Sequence, residues 1–147
     1  MNGQLSLEAK VVQTRQKGGF AFLDNLGLIQ VRGQDAETFL QGRTSNNVKA
    51  LADGEGHLNC LLHRKGHVLA IFSLHKLANS SSSDAPVYFI LSERIQIPVI
   101  MEQFETYRFR ERIEFEDVSG RYRLMAVQGP LGDAFLRKSA WLALPEA

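Results

Sequence analysis

A strand, a glycine and a helix that occur twice constrain this chain more than any other feature. In LGLIQVRGQDAETFLQGRTSNNVKAL (26–51), Leu28, Ile29 and Val31 form a β-prone run and Gly33 permits a turn. Asp35 stands where a carboxylate favours a helix N-terminus, and Ala36, Phe39 and Leu40 fall on one helical face. LMAVQGPLGDAFL repeats the pattern. One offset of 96 residues, from Gly33 to Gly129, also aligns Leu28 with Leu124, Val31 with Val127, Phe39 with Phe135 and Leu40 with Leu136. Five identities at one offset, all at structural positions, argue for an internal duplication. A second copy of the same length would run to roughly residue 200, so the 147 residues are read as one repeat and the start of another.

The remaining elements are placed around that one. Residues 1–19 are polar and end in KGG, which reads as a leader or edge segment. GFAFLD (19–24) is a first short strand, and Asn25 with Gly27 supplies turn chemistry before a second strand at 28–32. A helix over about 34–43 follows, then Thr44 or Ser45 as a possible cap for a short helical turn broken by DGEG (53–56). GHLNCLLH (56–63) and HVLAIFSLHKL (67–77) are β-rich and joined by Arg64, Lys65 and Gly66, a hairpin pattern. The serine-rich stretch at 78–86 reads as a flexible loop before the strand VYFILS. Pro98 suits a first helical turn, and Ile97, Ile100, Met101, Phe104 and Tyr107 recur at helical spacing, predicting a helix over about 96–107. FRERIEFED alternates, with Phe109, Ile113 and Phe115 on one side. The order is β2-α-β3-α followed by β2-α. Strands outnumber helices and most connections are short, so an α+β fold is expected, an antiparallel or mixed sheet with helices packed on it.

Composition removes several function classes. A formal net charge of +1 with dispersed Arg and Lys leaves no electrostatic footprint for nucleic acid or a membrane surface. The densest basic run, RFRER (108–112), is read as the solvated face of a strand. One cysteine, Cys60, excludes an internal disulfide and a cysteine-based zinc site. Within LNCLL it is expected to be a buried, inert thiol, in a protein of the reducing cytoplasm. No apolar run approaches the roughly 20 residues of a spanning helix. No GxGxxG follows the first strand, and no phosphate-loop lysine or nucleophile-elbow spacing is present. His57, His63 and His67 surround one hairpin, but a metal needs a third ligand and none stands out, so solvent-facing imidazoles are expected and no metal is assigned. His75 is expected to be partly exposed.

LDNLGLIQVRGQDAETFLQGRTSNNVKAL, LNCLLHRKGHVLAIFSL and IEFEDVSGRYRLMAVQGP together resemble the N-terminal part of the folate-binding YgfZ proteins and of their relatives, the aminomethyltransferase T-proteins of glycine cleavage. The pieces correspond to that superfamily's G-x-D-A-x-x-F-L, Q-G-Q-x-T-N-D, K-G-x-V and D-x-S…QGP segments, in order, over about 20–138. The resemblance implies a folate-binding domain of two β2-α-β3-α units, here truncated and covering 20–147, with tetrahydrofolate or another folate as cofactor.

Departures from the family pattern carry equal weight. T-proteins have aspartates just after the turn; here the run is Gly66, His67, Val68, Leu69, Ala70, Ile71. Without a carboxylate to hold or steer a proton at Ala70 or Ile71, aminomethyl transfer is disfavoured and no catalytic residue is assigned. The YgfZ K-G-C-x-x-G-Q-E motif is not in the sequence. The expectation is therefore a folate-binding protein of the YgfZ type, with a role beside iron-sulfur proteins in their assembly or maintenance. The alternatives are a degenerate scaffold acting through protein contacts and an aminomethyltransferase. Candidate folate contacts are Leu26, which would face the pterin, and Gln41, Thr44, Asn46 and Asn59, whose amides and hydroxyl suit pterin edges; each also has an ordinary role as core or cap. A second repeat cut after its first helix would leave Val127, Phe135 and Leu136 without partners, and a homodimer through the C-terminal third is expected from that.

Overall fold

The structure is a computed structural model that describes residues 6–78 and 85–138. The chain forms two compact units, one of Asp24–Arg123 and one of the segments up to Leu23 and from Leu124 onward.

In the larger unit the order is β2 (Leu26–Arg32), α2 (Ala36–Arg43), β3 (Gly56–Leu62), β4 (Val68–Lys76), β5 (Val87–Glu93), α3 (Ile97–Tyr107) and β6 (Glu114–Asp117). These strands form one antiparallel sheet, β3-β4-β5-β2-β6. β2 is paired along its whole length with β5, from Leu26 opposite Glu93 to Arg32 opposite Val87, and its other edge carries β6, with Val31 opposite Phe115. Strand alternation then decides the core. Ile29 and Val31 of β2, Ala70, Phe72 and Leu74 of β4, and Tyr88 and Ile90 of β5 are all buried. Ala36, Phe39 and Leu40 of α2 and Ile97, Ile100 and Phe104 of α3 belong to the same core cluster. Fully burying a side chain of this size is worth about 1.5–3 kcal/mol, so the two amphipathic stripes hold the helices on the sheet. Phe39, Phe104 and Phe115 form a triangle of rings with centroids 5.3–5.6 Å apart.

Gly33 turns the chain from β2 into α2 with φ +136°, and Asp35 occupies the N-cap of α2, its carbonyl accepting the Phe39 N–H at 2.9 Å while its side chain makes no bond to the helix. Its carboxylate instead accepts the Arg112 backbone N–H at 2.8 Å and the guanidinium at 3.2 and 3.3 Å. The Arg112 side-chain bond holds the Asp35 carboxyl below the ordinary carboxylate value of 3.8. A depressed folded-state value contributes stability above pH 3.8 that is lost as pH falls through the lower, folded value. Urea midpoints measured downward from about pH 5 should therefore fall more steeply for the parent than for Asp35→Asn.

Residues 108–113 are not the strand face expected from FRERIEFED. β6 begins only at Glu114, Phe109 is 81% exposed, and the preceding segment is a loop in which the Glu111 carboxylate accepts the N–H groups of Phe109 and Arg110 at 2.8 and 3.0 Å. Local carboxylate bonds outweigh the alternating pattern there. Of the expected serine-rich loop, residues 79–84 lie outside the described residues; on either side β4 and β5 pair from Ser73 opposite Leu91 to Lys76 opposite Tyr88.

In the smaller unit, α1 (Leu7–Gln16), β1 (Gly19–Phe22), β7 (Met125–Gln128) and α4 (Gly132–Lys138) come together. The polar stretch expected as a leader is thus helical over Leu7–Gln16. Ser6 caps it by accepting the Ala9 N–H at 3.2 Å, and no residue of α1 is buried, which is why no apolar periodicity announced it. The expected turn at Asn25 does not make β1 and β2 a hairpin. β1 pairs instead with β7, antiparallel, with Phe20 opposite Val127. Phe20 also stacks on Phe135 at 6.0 Å. Val127 thus has a strand partner and Phe135 a ring partner, while Phe135 remains 45% exposed and the sheet has only these two strands among the described residues. Locally β1 is to β7 as β6 is to β2: Val31 faces Phe115, which meets Phe39, while Val127 faces Phe20, which meets Phe135. Gly129, like Gly33, has positive φ, at +92°.

Candidate functional site

β3 is an outer strand of the five-stranded sheet, and the chain leaving α2 runs against it. Thr44 and Leu61 form an isolated antiparallel bridge, and the Ser45 N–H donates to the Cys60 carbonyl at 3.0 Å. The Cys60 N–H donates to Ser45 Oγ at 3.0 Å, and Asn46 Nδ2 donates to the Leu58 carbonyl at 3.1 Å. One backbone segment and two short side chains thus occupy backbone groups that an edge strand normally leaves open.

Asn59 is the centre of this clamp. Alternation turns it inward from β3, opposite Phe72, and it is 1% exposed. Its Oδ1 accepts from Ser45 Oγ at 3.1 Å, the Asn46 N–H at 3.0 Å and the Cys60 N–H at 2.9 Å; its Nδ2 donates to Thr44 Oγ1 at 3.1 Å. Thr44 Oγ1 in turn donates to the Leu40 carbonyl at 2.8 Å, closing the C-terminus of α2. Thr44 and Ser45 do not cap the next helical turn. That turn, Val48–Ala50, has Asn47 at its N-cap, and the Asn46 Oδ1 accepts the Asn47 N–H at 2.8 Å.

Three of the five sequence-derived candidates, Thr44, Asn46 and Asn59, therefore meet in one network. Gln41, one turn earlier on α2, is half-buried and its Oε1 accepts the Lys49 N–H at 3.0 Å. Leu26 is not part of the group. It begins β2, three strands from β3, or roughly 14 Å at ordinary strand spacing, and pairs with Glu93. Sequence reasoning missed Ser45, the hydroxyl that joins Asn59 to Cys60. Its signal was only its place between two candidates.

Cys60 is not buried as expected. With Asn59 and Leu61 inward, the alternation of β3 sends Cys60 to the opposite face, where it is half-buried opposite Ile71. Ala70 and Ile71 divide in the same way: Ala70 is 2% exposed in the core opposite Leu61, whereas Ile71 is 51% exposed. The Ile71 N–H donates to Gln96 Oε1 at 3.2 Å and its carbonyl accepts from Ser92 Oγ at 2.8 Å, side-chain bonds that lie beyond the last β4–β5 backbone pair, Ser73 with Leu91. His63 and His67 flank the hairpin turn with rings 6.4 Å apart, and His63 Nδ1 accepts the Lys65 N–H at 3.3 Å. His75 is exposed in β4, its Nε2 3.1 Å from Ser73 Oγ. Among the described residues no group of three or more His, Cys, Asp or Glu is placed to hold a metal ion, and no helix is long and apolar enough to cross a membrane.

A second polar group closes the opposite end of the core. Tyr88, fully buried, donates its hydroxyl to Glu37 at 3.2 Å, and the Lys76 ammonium lies 3.8 Å from Glu37 and 3.3 Å from Asp53. Burial first, and the Glu37 charge second, push the Tyr88 hydroxyl well above the usual phenol range, so it stays a donor.

This sheet with two covering helices is the fold of an aminomethyltransferase N-terminal region. The crystal structure of glycine cleavage system aminomethyltransferase T from Bartonella henselae matches 92% of the chain and 34% of its own length, with a TM-score of 0.71 at 21% identity. The GCVT N-terminal domain family model matches residues 4–143, and the chain belongs to that family. Among curated relatives it is similar to an aminomethyltransferase of Chlorobium limicola, 30% identical over 126 residues, and to one of Chloroherpeton thalassium, 27% identical over 124 residues; each match covers 84% of this chain and 33% of the relative. A mitochondrial iron-sulfur cluster assembly factor IBA57 homologue of Aspergillus oryzae is 29% identical over 106 residues, 67% of this chain and 24% of the relative. The chain thus spans a third or less of the length of these relatives.

Proposed function

We propose that the chain is the N-terminal part of a folate-binding protein of the YgfZ type, which holds tetrahydrofolate and serves the assembly or maintenance of iron-sulfur proteins without transferring an aminomethyl group. The observation that carries this reading is the chemistry of β4. Where T-proteins place aspartates, Ala70 is packed into the core and Ile71 presents a hydrocarbon, and the sequence from Gly56 to Ala78 contains no carboxylate at all. A proton at a folate amine has no base there. Similarity to the IBA57 homologue supports the iron-sulfur role. The aminomethyltransferase names of other relatives favour transfer as the second reading.

Folate contacts in this proposal fall to groups with bonding capacity to spare. The Gln41 amide nitrogen and the exposed Asn46 side chain qualify; the Asn59 oxygen, already taking three donors, does not. A pocket shared between two repeats loses a wall when only one is whole, so residues 1–147 should hold tetrahydrofolate more weakly than a chimera continued by the remaining two thirds of the Chlorobium limicola relative. Titration calorimetry on the two proteins measures the difference. Equal affinities would refute the two-repeat pocket, and turnover of glycine by the chimera with a lipoyl-bearing carrier protein would refute the non-catalytic reading.

A further inference from the structure

Leu26 and Ile71 lie at the same end of the sheet, with a carboxylate between them. Alternation points Ile29 and Val31 of β2, Tyr88 and Ile90 of β5, and Ala70 and Phe72 of β4 into the core, so Leu26, Glu93 and Ile71 share the opposite face. Leu26 is paired with Glu93. Two residues past the last β4–β5 pair, Ser73 with Leu91, the same register sets Ile71 beside Glu93. At ordinary strand spacing Leu26 and Ile71 are about 10 Å apart, with Glu93 midway, so one bicyclic ring laid across the row meets all three.

Hydrogen bonds fix both joints of this row. On one side Gln96 and Ser92 hold the Ile71 N–H and carbonyl, and Ser92 Oγ also lies 2.9 Å from Gln96 Oε1. On the other, the Arg94 N–H donates to the Asn25 carbonyl at 2.8 Å and the Arg94 guanidinium to the Leu26 carbonyl at 3.5 Å. Glu93 is exposed, and its carboxylate has no ion-pair or hydrogen-bond partner among the described residues.

We infer that Glu93 selects the form of the folate: its carboxylate accepts the N–H of the ring amine N5, while the ring lies on Leu26 and Ile71. The inference rests on the folate reading, and it fills the position without a carboxylate on β4 with a group from β5. An ionised carboxylate only accepts, and its bond to an N–H is charge-assisted. A folate with a formyl group on N5 has no hydrogen there and turns a carbonyl oxygen toward Glu93, acceptor against acceptor. Binding and transfer part at this point, because a solvated carboxylate holds the amine without being the sequestered base that proton transfer needs.

The test is titration calorimetry on the 147-residue chain, free of oxygen and at about pH 7, where a glutamate is ionised. Three ligands are compared: tetrahydrofolate, 5-formyltetrahydrofolate, and 5-methyltetrahydrofolate, which adds bulk at N5 with neither an N–H nor a carbonyl. The parent should hold tetrahydrofolate about tenfold more tightly than the formyl compound, with the methyl compound between them. Glu93→Gln keeps the shape and can turn either an oxygen or an amide N–H to the ligand, so it should weaken tetrahydrofolate about fivefold and bring the two affinities nearly level. Unchanged urea midpoints check that the variant folds, and Glu93→Ala carries the same expected loss of preference should the amide disturb the strand end. The inference is overturned, with the folate reading intact, if the parent binds tetrahydrofolate and its formyl derivative alike, if the preference survives both substitutions, or if the methyl compound binds as tightly as tetrahydrofolate. If none of the three binds with millimolar affinity or better, the folate reading itself fails and the role of Glu93 falls with it.

Discussion

Gly33→Ala is expected to cost the larger unit on the order of 3–5 kcal/mol. A Cβ at this position would sit 2.0 Å from the Arg112 carbonyl oxygen and 2.8 Å from the Ile113 Cα, both backbone atoms that no rotamer change can move. The φ of +136° adds strain of its own for any L side chain. Relief requires residues 112–113 to retreat, which pulls Arg112 from Asp35 and disturbs the start of β6. With urea slopes of about 1–3 kcal/mol per molar, the unfolding midpoint should drop by more than about 1 M. Gly42→Ala is the internal control. Gly42 lies within α2 with nothing within 4 Å of its virtual Cβ, so alanine there should raise stability by about 0.5–1 kcal/mol. A Gly33→Ala midpoint within a few tenths of a molar of the parent would show that the close approach to Arg112 is not structural.

Asn59→Leu is the second large effect, on the order of 3 kcal/mol. The substitution keeps the volume but strips partners from the Asn46 N–H and leaves Thr44 Oγ1 without its donor, while Ser45 Oγ and the Cys60 N–H retain only each other. Asn59→Asp separates this account from simple loss of shape. An ionised carboxylate accepts from Ser45, Asn46 and Cys60 but is a buried charge facing the Thr44 oxygen; protonated, it accepts from the same donors and gives its own O–H to Thr44, so its cost should fall well below that of leucine as pH is lowered. If aspartate and leucine destabilise equally at every pH, the acceptor role assigned to Asn59 is wrong.

Periodicity was a sound guide wherever an element has one wet and one dry side. α2, α3 and the β3–β4 hairpin were legible because Phe39 and Leu40, Ile100 and Phe104, and the alternation through Ala70, Phe72 and Leu74 declare which face is inward. α1 was not, since it buries nothing. The pairing of β1 with β7 could not be read either, because a hydrogen-bond register between Phe20 and Val127 leaves no local trace in sequence. For the candidate site the types were visible and their use was not. Thr44, Asn46 and Asn59 stood out as polar groups between apolar runs, but only the inward turn of Asn59 shows that they spend their bonds on one another. Cys60 shows the same limit from the other side: one residue of register separates an inert core thiol from one on an open face.

The smaller unit also sets an order in time. β1 leaves the ribosome early, and its partner is not made until about a hundred residues later, counting from Phe22 to Met125. At synthesis rates of roughly 5–20 residues per second, the GFAF strand waits roughly 5–20 seconds for β7. Every strand of the larger sheet emerges within that interval, so Asp24–Arg123 can fold while Phe20 and Phe22 are still unpaired. The early presence of that folded unit shortens the free loop that β1 and β7 must close, which lowers the entropy cost of their pairing. Nascent chains are therefore exposed to pairing of their GFAF strands with one another throughout the interval from the synthesis of β1 to that of β7.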